Sequence, residues 1–123
     1  DSAGTCASHV GQPPTHPAID AAAARGYDIS GIRARQITGE DIRHFDHVLA
    51  MTRGHLVEMR WLAPREMVDK PQLLMSYAPP LGFLDIPDPY GGTADDYERA
   101  IGMIESATRG LLAKLTPDVR KAT

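Results

Sequence analysis

Cysteine, long apolar runs and excess charge are all scarce in this sequence, and each scarcity excludes a class of protein. Cys6 is the single cysteine among 123 residues, so an internal disulfide framework and a metal site built from several thiolates are both excluded. No apolar run approaches the roughly 20 residues that span a bilayer, and the first residues have neither the basic nor the apolar region of a signal peptide. We therefore expect a cytoplasmic protein without a membrane partner.

The charges nearly balance. Thirteen Lys and Arg residues against sixteen Asp and Glu residues give a formal net charge of −3. Such a chain gives no general electrostatic reason to expect a nucleic acid partner, so any basic patch must be local. The length suits one hydrophobic core, and we expect residues 1–123 to form a single domain.

Short apolar runs alternate with amphipathic segments, which is typical of an α/β domain with a parallel sheet. Residues 47–51 and 72–75 are brief continuous apolar runs, the pattern of strands covered on both faces, and residues 1–5 resemble the end of another strand. Ligands of parallel sheets bind beyond the carboxyl ends of the strands. Those ends lead into residues 2–11, Thr52 and the region of Asp88, so we expect three loops to converge on one edge.

Threonines that can cap helices indicate where most of the helices begin. The predicted helices run from Thr15 to Gly26, from Thr38 to about Phe45, over residues 53–62, and from Thr93 to Pro117, with a polar, frayed tail at 118–123. Each should have an inward apolar face. The residues predicted to face inward are Ala18, Ile19, Ala22 and Ala23 in the first helix, Leu56, Met59 and Leu62 in the third, and Tyr97, Ile101, Ile104, Leu111, Leu112 and Leu115 in the last.

The stretch from 85 to 92, Asp-Ile-Pro-Asp-Pro-Tyr-Gly-Gly, is unlike the rest of the chain. Asp88 stands between Pro87 and Pro89, and each proline ring fixes its own φ and biases the preceding residue toward extended conformations. We therefore expect the carboxylate to be displayed. A general acid held in this way protonates a leaving oxygen and contributes about 10² to 10⁴ in rate. The alternative is a turn that only begins the last helix.

Other candidate groups are weaker. Cys6 has no cationic neighbour in residues 6–12 that would activate it as a nucleophile, so an ordinary loop role is favoured. His44 and His47 have a metal-like spacing, but no third ligand is indicated. Arg33 and Arg35 are a basic pair that can hold phosphate, although an ion-paired surface is favoured.

Five segments in this order resemble the low-molecular-weight protein tyrosine phosphatase family: DSAGT at 1–5, HVG at 9–11, ARQIT at 34–38, FDHVLAM at 45–51 and DPY at 88–90. The resemblance runs from residue 1 to about Leu115. It implies a flavodoxin-like α/β fold of the phosphotyrosine phosphatase I type, in which a parallel four-stranded sheet lies between two layers of helices. It also implies an enzyme that needs neither a metal nor a cofactor and acts on a phosphotyrosine protein or a small aryl phosphate.

The same resemblance assigns roles to particular residues. Asp88 matches the general acid, and Tyr90 matches the aromatic wall beside the phosphotyrosine ring. Ser8 and His9 match substrate-contacting positions, and Ser2 matches a residue that hydrogen-bonds the phosphate loop. The oligomeric state is left open.

The resemblance further implies a half of the site that this sequence does not contain. The family signature is a Cys followed after five residues by Arg-Ser, at the start of the first helix, and it would precede Asp1; Cys6 does not replace it. The first strand would lie between the strand ending near Ser2 and the strand around Val48. We therefore expect an N-terminally truncated phosphatase domain that lacks the nucleophile and is inactive on its own.

The sequence also departs from the family at four positions. Ser8, Ile32, Thr52 and Gly91 stand where the family often has an aromatic residue, a histidine that supports the phosphate loop, an aspartate and a second tyrosine. These departures leave the fold assignment intact and bear on substrate affinity and turnover. The alternative function is a non-catalytic, phosphatase-like binding module, a family member that has lost its nucleophile. Arsenate reduction on the same fold needs resolving cysteines, and Cys6 alone does not supply them.

Overall fold

The computed structural model describes residues 1–122, with side chains up to Leu115. The predicted frayed tail, residues 118–123, lies beyond the last side chain that the structure describes. None of the helices within the described residues has the length and apolarity of a membrane span. The elements in chain order are α1 (His16–Ala24), α2 (Gly39–His44), β1 (Val48–Ala50), α3 (Arg53–Leu62), β2 (Pro71–Leu73) and α4 (Ala94–Ala122), with 3₁₀ turns at Arg65–Met67, Leu74–Tyr77 and Pro79–Leu81.

The two strands pair in parallel, with Val48 opposite Pro71 and Ala50 opposite Leu73. A parallel pair needs a crossover connection, and α3 provides it. Both strands are one or two residues shorter than their predicted apolar runs. Leu74 and Met75 were assigned to the second strand but belong to the 3₁₀ turn, where both are buried against α4. Their apolar character therefore reflects burial under a helix and not strand pairing.

The expected strand at residues 1–5 is wrong in extent, because it is reduced to a single bridge. Gly4 pairs with Gln36 through two 2.8 Å hydrogen bonds, from the Gly4 amide to the Arg35 carbonyl and from the Ile37 amide to the Gly4 carbonyl. The chain then turns at once, since the Val10 amide donates to the Ala7 carbonyl at 3.2 Å. Among residues 1–122, β1 pairs with β2 and with no other strand.

The helix starts agree with the predicted caps. Thr15 and Thr52 accept hydrogen bonds from amides in the first turns of α1 and α3, and Thr38 forms a reciprocal capping box with Asp41 in α2. Thr93 accepts from the Asp96 amide at 3.3 Å and donates its own amide to the Asp96 carboxylate at 2.9 Å. These caps depend on residues three positions apart, so sequence alone identifies them.

The buried faces of the helices differ from the predicted ones. The residues buried in α4 are Tyr97, Ala100, Met103 and Ala107, whereas Leu112 and Leu115 are 53% and 40% exposed. The prediction for those two leucines is therefore wrong, as it is for Ala23 in α1 and Leu62 in α3, which are also exposed. The small side chains Ala100 and Ala107 alternate with Tyr97 and Met103 on the buried face of α4, and they let this helix pack closely on the Leu74–Tyr77 turn.

The end predicted for α4 at Pro117 is also wrong, since the helix continues to Ala122. Proline removes one intrahelical hydrogen bond, but its fixed φ is compatible with a helix. The core has two parts. One joins α4, the Leu74–Tyr77 turn and Ile86, and the other joins α2, β1 and α3 around the fully buried Ile42.

Candidate active site

Residues 85–92, called here the Asp88 loop, cross the carboxyl end of β1. Ile86 is 4% exposed, and its amide donates to the Met51 carbonyl at 2.8 Å, directly after β1. The buried side chain and the backbone hydrogen bond fix the start of the loop on the sheet. Pro87 and Pro89 then limit the backbone conformations on either side of Asp88.

Asp88 is exposed, as the sequence predicted. Its Oδ1 atom accepts the Tyr90 amide at 3.0 Å, the turn in which an Asp side chain bonds the backbone two residues ahead. The second carboxylate oxygen has no hydrogen bond to the described residues. One oxygen is therefore held by the loop, while the other is available to donate a proton to a ligand when the carboxyl group is protonated.

Tyr90 and His9 bring two of the predicted loops together. Tyr90 is 66% exposed, and its ring centroid lies 5.8 Å from that of His9, with the ring planes tilted by 48°. The Nδ1 atom of His9 lies 3.0 Å from the Oε1 atom of Gln12, which holds the imidazole in place. The exposed Tyr90 ring thus lies two residues from Asp88 with the His9 ring beside it, and an aromatic substrate ring can stack there.

Ser8 and Ser2 are not brought to Asp88. The Oγ atom of Ser8 lies 3.1 Å from the Sγ atom of Cys6, and hydrogen bonds from the Ser8 side chain and backbone lower the pKa of the Cys6 thiol. Ser2 is exposed, and its amide donates to the Oδ1 atom of Asp1 at 2.7 Å. Within residues 1–122, no hydrogen bond or ion pair joins the side chain of Ser2, Ser8 or Cys6 to the Asp88 loop.

Two of the other departures from the family pattern, Thr52 and Gly91, have structural roles here. Thr52 accepts the His55 amide at 3.1 Å and so begins α3. Gly91 has φ of +77°, a left-handed conformation that favours glycine over tyrosine. Ile32 is 48% exposed on its loop.

The two basic candidates also have hydrogen-bond or ion-pair partners. Arg33 donates to the carbonyls of Ser30 and Ile32, and Arg35 forms ion pairs with Asp1 and Asp41. The ion-paired interpretation of this basic pair therefore fits the structure better than a phosphate site.

His44 packs its ring edge-on against Phe45 at 4.9 Å. In the described part of the chain, no three His, Cys, Asp or Glu side chains are grouped as metal ligands would be.

A largely apolar groove of about 860 Å³ runs from the Asp88 loop between α1 and α4. Its volume lies within the range of small-molecule sites, roughly 300 to 1,000 Å³. Ile101, Ile104 and Leu112 of α4 line this groove, whereas Met103 of the same helix lies in the core. The side chains along it include Ala18, Ala22, Thr52, His55, Asp88, Tyr90, Ile101, Ile104 and Leu112.

A network of polar contacts between α1 and α4 fixes the width of the groove. Arg25 forms ion pairs with both Glu98 and Glu105, and the Tyr27 hydroxyl donates to Glu105 at 3.0 Å. Hydrogen bonds from Tyr27 and Arg25 lower the pKa of Glu105. The groove is therefore braced along one wall by contacts that join α4 to α1 and the residues just after it.

Asp85 is the residue of this site that sequence reasoning missed. Its carboxylate accepts the backbone amide of Arg53 at 2.7 Å and pairs with the Arg53 guanidinium at 3.2 Å. The Arg53 side chain and backbone together lower the pKa of Asp85. Thirty-two residues separate the partners, so no local pattern in the sequence indicates the pairing.

The known proteins to which this chain is similar are phosphatases. The family model described as low molecular weight phosphotyrosine protein phosphatase matches residues 1–121. A low molecular weight protein-tyrosine-phosphatase of Streptomyces coelicolor is 41% identical over 123 residues, which cover 97% of this chain and 74% of that protein. The human low molecular weight phosphotyrosine protein phosphatase is 32% identical, with coverage of 93% and 72%.

Solved structures agree. A protein tyrosine phosphatase from Entamoeba histolytica superposes with a TM-score of 0.90 at 28% identity, covering 96% of this chain and 75% of that one. Vibrio vulnificus Wzb in complex with benzylphosphonate gives a TM-score of 0.83 at 28% identity, with coverage of 93% and 77%. These likenesses confirm the predicted α/β fold class with a parallel sheet.

Proposed function

The chain belongs to the low molecular weight phosphotyrosine protein phosphatase family, and from that premise we propose that it carries the acid half of an enzyme that hydrolyses phosphotyrosine or aryl phosphate monoesters. The observation on which this rests is the Asp88 loop. It presents an exposed carboxylate at the carboxyl end of a parallel strand, beside the exposed ring of Tyr90. Ligands in α/β domains bind at such edges, and an aryl ester needs both a ring contact and a proton donor.

The role of Asp88 follows from the leaving group. A tyrosine phenol has a pKa near 10, so expelling it as the bare phenolate near neutral pH is slow without a proton donor. A cysteine thiolate attacks phosphorus, the bond from phosphorus to the phenolic oxygen breaks, and protonated Asp88 delivers its proton to that oxygen. Asp88, now ionised, takes a proton from the water that attacks the phosphocysteine, which releases inorganic phosphate and restores the thiolate and the acid.

The nucleophile in this proposal is a Cys-x5-Arg segment outside the 123 residues. Three observations support it. The Streptomyces coelicolor match covers 97% of this chain but 74% of that protein, β1 has one strand partner among residues 1–122, and an apolar groove lies beside the Asp88 loop. The Cys6 thiol bonds the Ser8 hydroxyl, and within the described residues no hydrogen bond joins it to Asp88. The 123 residues alone are then expected to release no phosphate.

The substrate ring in this proposal stacks on Tyr90 with His9 behind it. Gly91 is small where the family often has a second tyrosine, so the substrate ring would have one main aromatic wall beside Asp88, the ring of Tyr90. A flat aryl ester fits an open site with one aromatic wall, and this supports a phosphotyrosine protein or a small aryl phosphate as the substrate. We further propose a cytoplasmic location.

Replacing Asp88 tests the proposal. In protein extended to include the Cys-x5-Arg segment, Asp88→Asn should lower kcat toward a phosphotyrosine peptide by about 10² to 10⁴. Asp95→Asn is the matched control, since Asp95 is an exposed carboxylate in the first turn of α4, and its kcat should stay within about twofold. An Asp88→Asn variant that keeps the parent kcat would refute the assigned role.

A non-catalytic binding module is the second candidate, favoured by the four departures at Ser8, Ile32, Thr52 and Gly91. It predicts that a phosphotyrosine peptide binds at equilibrium without release of phosphate from the extended protein. Measured turnover would exclude it. Arsenate reduction is disfavoured because Cys6 is the single cysteine here.

A further inference from the structure

Two consecutive residues attach the Asp88 loop to the turn between β1 and α3. Asp85 accepts the Arg53 amide at 2.7 Å, and the Ile86 amide donates to the Met51 carbonyl at 2.8 Å. Arg53 is the first residue of α3, so the carboxylate lies at the positive end of that ten-residue helix. The loop is thereby fixed to both the strand end and the helix start.

Only Pro87 separates this attachment from Asp88. Its ring fixes φ, so few backbone torsions remain between the bonded residues and the acid. On the other side, the Asp88 carboxylate bonds the Tyr90 amide and Gly91 takes a positive φ, which closes the loop on itself. The position of Asp88 is therefore determined mainly from the Asp85 side.

We propose that Asp85 is a positioning residue for Asp88, because its carboxylate ties the loop to the start of α3 and holds the acid over the carboxyl end of β1. The inference rests on the proposed function of Asp88 as the general acid. A misplacement of about 1 Å in a catalytic group can cost roughly 10² in rate, so a residue that prevents it affects turnover without touching the substrate.

The two carboxylates need opposite charge states. A general acid must be protonated to act. The Asp85 carboxylate, in contrast, must be ionised to accept hydrogen bonds from both the backbone amide and the guanidinium of Arg53. The charged groups that face Asp85 are the Arg53 guanidinium and the His55 ring, and both lower the pKa of Asp85, with the Arg53 hydrogen bond the larger cause. The Asp85 carboxylate therefore stays ionised as the pH falls into the range where an ordinary carboxyl group becomes protonated.

The first test measures amide hydrogen exchange in the 123-residue chain itself. Asp85→Ala removes both bonds and should speed exchange at Ile86 and Tyr90 by about tenfold or more, since these amides are held by the attached loop. Arg53→Ala is the matched control, because it removes the exposed guanidinium but keeps the backbone amide that donates at 2.7 Å. Its exchange should stay within about threefold of the parent.

The second test measures kinetics in protein extended to include the Cys-x5-Arg segment. Asp85→Ala should lower kcat by roughly 10- to 100-fold with KM within about twofold, and Asp85→Asn, whose amide oxygen still accepts from Arg53, should lose less. In an Asp88→Asn background, Asp85→Ala should cost no further rate, because both changes act through one proton transfer. An effect through general instability would persist in that background.

The outcomes separate the two claims. An equal loss from Asp85→Ala with and without Asp88, or unchanged exchange at Ile86 and Tyr90, overturns the positioning role. An Asp88→Asn variant with full kcat overturns the proposed function instead. If the extended protein shows no turnover, the exchange data decide whether Asp85 holds the loop. If Asp85→Ala fails to fold, Asp85→Asn replaces it in both tests.

Discussion

Gly110 offers a sharp test of how α4 packs on the Leu74–Tyr77 turn. A Cβ atom added at Gly110 would lie 2.9 Å from the Tyr77 carbonyl carbon and closer still to its oxygen. Both partners are backbone atoms, so no rotamer change relieves the overlap. Gly110→Ala must therefore push the helix away from the turn, which holds the buried pair Leu74 and Met75.

The expected magnitude is the difference of two effects. Overpacking a tight contact costs about 1 to 3 kcal/mol, and a clash with backbone lies at the upper end. Alanine recovers about 1 kcal/mol of helix propensity over glycine. The net loss should be about 2 kcal/mol, which corresponds to a fall of about 1 M in the urea midpoint for a domain with a slope near 2 kcal/mol per M.

Gly102 supplies the matched control in the same helix. A Cβ atom there would meet only the Nη2 atom of Arg25, at an ordinary van der Waals distance of 3.4 Å. Gly102→Ala should therefore raise stability by about 0.5 to 1 kcal/mol. Urea unfolding followed by circular dichroism measures both variants. If Gly110→Ala is as stable as the parent, or both changes destabilise alike, the packing argument fails.

Two further predictions concern polar contacts. Thr15 donates to the Tyr97 hydroxyl at 3.1 Å, so Tyr97→Phe should lose about 0.5 to 1.5 kcal/mol of unfolding free energy in urea, and no loss would show that this bond contributes nothing. Arg35 and the Thr38 backbone lower the pKa of Asp41 below the unfolded value of about 3.9, so the unfolded chain binds more protons between the two values. The stability that Asp41 contributes is then fully present above about pH 4 and is lost as the pH falls through its folded pKa. In urea titrations, the difference in unfolding free energy between the parent and Asp41→Asn should therefore shrink over that pH range. A difference that stays constant with pH would contradict the assignment.

Local features of the fold could be read from the sequence because their causes are local. A threonine cap acts on an amide two or three residues away, so Thr15, Thr38 and Thr93 locate three helix starts. The exposure of Asp88 follows from the prolines on either side of it, and the order of motifs identifies the family.

The rest depends on contacts between distant segments. The buried face of α4 could not be predicted from hydrophobicity, because its close approach to a turn selects Ala100 and Ala107 for burial over larger residues. The bond between Asp85 and Arg53 joins residues that are far apart in the chain. The role of Asp85 therefore becomes visible only when the loop is seen lying on the start of α3.

The most direct test of the central claim is how the effect of Asp88→Asn on kcat/KM depends on the leaving group. A general acid matters most when the departing oxygen is basic, as in a tyrosine phenol with a pKa near 10, and least when the phenol is acidic. With extended protein and a series of aryl phosphates, the loss in kcat/KM, which reports the step that expels the phenol, should grow from a few fold for the most acidic phenols toward about 10² or more for tyrosine phosphate. A loss that is the same for every ester would show that Asp88 does not deliver the proton.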